Sequence, residues 1–138
     1  MKTAMLAAAI LLAMPTLAFA QANMSECVEA EDQAAMSECA GAVFEESDKE
    51  LNKLYKQIEL RLSDDPDTKK LLVQAQRDWV KFRDAECSFQ TAGAAGGSIV
   101  PALDAMCMDD LTQSRIKDFE GYLNCEEGDL SCPVPAAD

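Results

Sequence analysis

Apolar side chains recur at steps of three and four through three stretches of this chain, and no stretch alternates as a strand would. The clearest stretch places Leu72, Ala75/Gln76, Trp79, Phe82/Arg83 and Glu86 on one helical face. That face carries the only Trp of the chain, a large ring suited to anchoring a core. Polar Gln76 and Arg83 lie on the same stripe, one turn either side of Trp79. A charge taken out of water without a partner is costly, so the face predicts an apolar neighbour and a carboxylate opposite Arg83.

A second helical period starts after Asp32 and runs through Met36, Cys39/Ala40, Val43/Phe44, Leu51, Leu54/Tyr55, Ile58 and Leu62. Asp32 suits its N-cap. Gly41 and the Ser47-x-x-Glu50 pattern offer places for a break, but one long helix is the simpler reading. Ser63-Asp64-Asp65-Pro66-Asp67 is the turn that follows. Asp65 caps the next helix, and Pro66 fits its first position, where no N–H is needed. That helix runs to about Gln90, and so short a connection makes the two an antiparallel pair. Thr91 to Ser98 is a loop of small residues. A third helix follows from Pro101 through Leu103, Met106/Cys107, Leu111, Phe119 and Tyr122/Leu123. Gln21 to Glu31 reads as a loop carrying Cys27. The predicted fold is all-α: a long antiparallel helical hairpin plus a third packed helix, stapled by disulfides.

The first 20 residues stand apart from this plan. Lys2, the apolar run Ala4 to Ala13 and Ala18-Phe19-Ala20 form a signal-peptide pattern with cleavage after Ala20. The apolar run is too short for a comfortable membrane span. The expected divisions are therefore a leader over 1–20, a helical domain over 21–123 and an acidic tail over 124–138. Export to the periplasm or the cell exterior follows, with no membrane insertion after cleavage. Cys27, Cys39, Cys87, Cys107, Cys125 and Cys132 all survive that cut. An even number in a short exported chain reads as a disulfide framework. A Cys87–Cys107 bridge would tie two helix ends across the small-residue loop, and Cys125–Cys132 would close the tail. Cys27–Cys39 then remains, with an exchange of Cys39 onto Cys87 still open.

The chain has a net charge of −13, unevenly spread. Residues 21–50 hold nine acids and one base, 51–90 seven and eight, and 91–138 nine and two. Two acidic ends flank a nearly neutral middle, which disfavours nucleic acid and favours a basic partner. There is no His, no C-x-x-C and no phosphate-binding glycine pattern. No catalytic residue, metal or cofactor is expected, and the reading is a non-enzyme.

If the first turn centres near residue 65, Asp48 lies level with Arg83, Asn52 with Trp79, and Tyr55 with Gln76. Two polar-aromatic stripes would then meet as a structural network that fixes the hairpin register. Breaking an Asp48–Arg83 pair should cost about 3–5 kcal/mol if it is buried and at most roughly 1 if exposed.

The same residues carry a family resemblance. Cys39, Asp48-x-x-Leu51-Asn52-x-x-Tyr55, Leu72-x-x-Ala75-Gln76-x-x-Trp79-x-x-x-Arg83-Asp84-x-x-Cys87, Gly97-Ser98, Cys107 and Leu111-Thr112-x-x-Arg115 resemble the LprI-type lysozyme inhibitor domain. The likeness spans roughly Cys27 to Leu123, and the Cys125–Cys132 tail departs from the shorter pattern. The resemblance implies a helical, disulfide-bonded envelope protein and, for the family's namesake, inhibition of lysozyme. With that partner in view, the acidic ends favour a basic, animal-type lysozyme. The uncharged Gly93, Gly96, Gly97 and Ser98 would then enter its cleft, although a plain turn between helices uses the same residues. The rival reading is a non-catalytic envelope adaptor or structural module for another partner. A small-molecule binder using the stripe between the first two helices is a third.

Overall fold

The structure is a computed structural model that describes residues 23–136. The expected leader and its cleavage after Ala20 lie outside the described residues. Four helices follow in order: α1 (Met24–Val28), α2 (Gln33–Arg61), α3 (Pro66–Gln90) and α4 (Val100–Leu123), with a single 3-10 turn at Ala92–Ala94. Among the described residues there is no strand. The fold is all-α.

Local chemistry sets the helix ends. The Asp32 carboxylate accepts from the Ala35 N–H at 2.8 Å and opens α2. Asp65 does the same for Thr68 at 3.0 Å, with Pro66 in the first turn of α3. Each cap satisfies a backbone donor that the helix leaves without a partner. No break occurs at Gly41 or Ser47. The Ser47 hydroxyl donates instead to the Asp109 carboxylate of α4, so it joins two helices rather than capping one.

The expected entry loop is partly helical. Asn23 accepts from the Glu26 N–H and starts the five-residue α1, which Cys27–Cys39 fastens to α2. So short a helix has no period to read, and tertiary anchoring supplies what propensity does not. Cys87–Cys107 and Cys125–Cys132 complete the set, and no described cysteine is free.

The most extensive helix packing is between α2 and α4, and α3 lies against α4. Across the α2–α3 pair, contacts such as Arg83–Asp48 and Lys69–Glu59 are made by long side chains. Leu51, Leu54, Ile58 and Leu62 of α2 pack with Ile116 and Phe119 of α4. Phe119, fully buried, takes the centre; Trp79, half-buried, packs at the margin with Tyr55, Leu72 and Tyr122. On α3 it is Arg83 that turns inward, while Phe82 is exposed. The segment after Asn124 folds back so that Val134, only 4% exposed, joins the same core. No described helix is long and apolar enough to cross a membrane.

Candidate partner-binding site

Two groups of residues stand out: a polar network between the helices and an uncharged loop at one pole. In the network, Arg83 Nη1 donates to Asp48 Oδ1 at 3.2 Å and reaches Thr112 Oγ1 at 3.5 Å. Its Nε and Nη2 both face Asp84 Oδ1 at 3.0 Å. The guanidinium carbon lies 5.3 Å from the Phe44 ring centre and 5.2 Å from that of Trp79, within cation–π range. Asn52 donates back to Asp48, to its carbonyl at 2.7 Å and its carboxylate at 3.0 Å. Asp48, Asn52, Trp79 and Arg83 are thus brought together, with Asn52 bonded within its own helix rather than to Trp79.

Tyr55 and Gln76 line one shallow cleft but form no mutual hydrogen bond. Tyr55 packs on Phe119, and burial, followed by the neighbouring Glu59 charge, pushes its phenol above the ordinary value of 10.0. Gln76 instead accepts from Arg115 Nε at 3.2 Å. A second arginine therefore enters the network from α4, its guanidinium carbon 4.6 Å from the Phe119 ring centre and 5.9 Å from that of Trp79. Arg115, Thr112 and the Ser47–Asp109 pair depend on the return path of α4, which the register of the first two helices does not reveal. Among the described residues no side-chain nitrogen or oxygen is buried without a hydrogen-bond partner. These side-chain hydrogen bonds link α2, α3 and α4.

At the C-terminal end of α3, one turn beyond Arg83, no charged residue occurs from Cys87 through Leu103. The Cys87–Cys107 bridge joins the two sides of this stretch. Between them Gly93, Gly96, Gly97 and Ser98 are exposed. Backbone bonds from Gly97 N to Ala94 O (2.9 Å) and Val100 N to Gly97 O (3.2 Å) fold the loop on itself. Gly96 has a φ of 81°, which an L side chain rarely adopts. A Cβ at Gly97 would sit 3.0 Å from the Ala94 carbonyl oxygen, whereas one at Gly93 would meet open space. The Ser98 hydroxyl donates to the Gln33 side chain at the start of α2. That contact sets the loop beside a stretch carrying Glu26, Glu29, Glu31, Asp32 and Glu38 with no base among them. The arrangement is a small uncharged projection with an acidic border. Among the described residues no cluster of His, Cys, Asp or Glu is arranged to hold a metal ion.

Helices closed by three disulfides, with no strand described, define a small disulfide-stapled α-domain. The family model for lysozyme inhibitor LprI matches residues 20–119, and the chain belongs to that family. An uncharacterized protein of Rhizobium meliloti (strain 1021) is 30% identical over 138 residues, covering 92% of this chain and 99% of the relative. No solved structure matches the chain.

Proposed function

We propose that this protein inhibits lysozyme in the periplasm or outside the cell by seating the Gly93–Ser98 loop across the enzyme's cleft. Family membership supports lysozyme as the partner. The observation that carries the mode of binding is the exposed, uncharged, disulfide-based loop beside the acidic start of α2. A glycosidase cleft is lined by catalytic carboxylates, so an acidic helix is repelled there, while a neutral loop with little side-chain bulk is not. The base of the loop is held at both ends, which lowers the ordering cost on binding.

The acidic residues act at longer range. They attract a basic, animal-type lysozyme and raise the association rate more than they fix affinity. The effect weakens as salt shortens the screening length. The Ser98 hydroxyl has one proton to donate, and Gln33 already receives it. Ser98 therefore holds the loop to α2, and it binds a lysozyme carboxylate only by exchanging that partner.

Gly93 is the cleanest probe, because its position tolerates a Cβ and needs no left-handed backbone. Gly93→Trp should leave helicity and thermal stability unchanged and weaken inhibition by at least about tenfold, through a clash confined to the bound state. A folded Gly93→Trp variant that inhibits as well as the parent would move the contact surface elsewhere.

A further inference from the structure

The family assignment leaves unused a cavity of about 260 Å³ at the α2–α3 turn end of the molecule. Its walls are mostly apolar, from Ile58 and Leu62 of α2, Leu72 and Ala75 of α3, and Pro133 and Val134 of the returning tail, with the Thr68 and Tyr122 side chains also lining it. One charged residue, Arg115, lines it. The Arg115 side chain is mostly buried, at 13% exposure, and its contacts leave it incompletely used. Nε donates to Gln76 at 3.2 Å and Nη1 faces Asp118 at 3.5 Å. Among the described residues nothing accepts from Nη2. A guanidinium carries five N–H donors, so an edge remains for a planar two-oxygen acceptor.

We infer that this cavity binds a single-chain aliphatic carboxylate, with the alkyl chain among Leu62, Leu72 and Val134 and the carboxylate on Arg115. The volume decides the size class. It falls below the roughly 300–1,000 Å³ of sites for drug-sized ligands, which suits one medium-length chain. The lining decides the chemistry. An alkyl chain is removed from water by the apolar walls, and the one cation at the wall selects an anionic head over a cationic or neutral one. The tail wall is fixed in place by Cys125–Cys132 and by the burial of Val134. This site is separate from the Gly93–Ser98 loop and does not depend on the proposed inhibition.

The molecule carries its own reporter, because Arg115 lies 5.9 Å from the ring of the only Trp. Decanoate titrated below its micelle concentration should change Trp79 emission saturably and raise the thermal midpoint. Decylammonium and decanol should do neither at the same concentrations. Arg115→Gln should weaken decanoate by roughly tenfold to a hundredfold. Because that variant touches the network, a second one fills the cavity from an exposed position: Ala75→Phe should abolish the response while far-UV circular dichroism stays unchanged. The inference is overturned if decanoate gives no saturable response, if decylammonium or decanol matches it, or if folded Ala75→Phe binds as the parent does.

Discussion

Arg83 offers the sharpest energetic test of how the helices are held. Its side chain is 10% exposed, while its two carboxylate partners, Asp48 and Asp84, are 41% and 51% exposed. The pair is therefore lopsided, with a buried cation and half-hydrated anions. Replacing Arg83 with Ala removes charge-assisted hydrogen bonds, contacts with the Phe44 and Trp79 rings and the packing of the aliphatic stem. The carboxylates left behind rehydrate, so the loss stays below the roughly 3–5 kcal/mol of a fully buried pair broken on one side. The expected cost of Arg83→Ala is about 2–3 kcal/mol, a fall in thermal midpoint on the order of 10 °C. Asp48→Ala leaves Asp84 on the guanidinium and should cost at most about 1 kcal/mol. Urea unfolding with the disulfides intact measures both, and the double variant gives their coupling. The reasoning fails if Asp48→Ala is the more destabilising change, or if Arg83→Ala costs less than about 0.5 kcal/mol, the range of ordinary surface substitutions.

Two further predictions concern the helix ends. Replacing Cys87 and Cys107 together with Ala opens a loop with a sequence separation of 20; denaturant midpoints should report a loss of about 3 kcal/mol, and non-reducing peptide mapping of the parent should recover all three bridges. Hydrogen bonds from Thr68 hold the Asp65 carboxyl below its ordinary value of 3.8. A carboxylate whose folded pKa is depressed stabilises the fold above the unfolded pKa and loses that contribution as pH falls through the folded value. Asp65→Asn should therefore flatten part of the fall in thermal midpoint below about pH 4; an unchanged slope there would remove Asp65 from the account.

Much of this fold is legible in the sequence because α2 and α3 are long and capped. Asp32, and Asp65 with Pro66, mark the starts of α2 and α3 by chemistry that acts within one turn. The Asp48–Arg83 contact follows from a short turn, which leaves little freedom in how two helices line up. The unread parts depend on contacts distant in sequence. The α2–α4 packing is set by the path of the chain after Ser98, and with it come the Ser47–Asp109 and Gln76–Arg115 pairs. Val134 is a single apolar residue between two prolines, and nothing in its neighbours signals that it reaches the core. In the loop, sequence supplies the small residues and the absence of charge. The separate roles of Gly93, Gly96 and Gly97 come from backbone angles and the space around each.

The central claim, inhibition of lysozyme by direct binding, is tested most directly by lysis of a bacterial cell-wall suspension. A basic, animal-type lysozyme is assayed with increasing amounts of the chain from residue 21 onward, at low and at physiological salt. The account predicts that clearing of the suspension is suppressed as the protein approaches stoichiometric excess, with more protein needed at the higher salt because steering is screened. An undiminished rate of clearing at large excess in low salt, with folded and fully bridged protein, would contradict it.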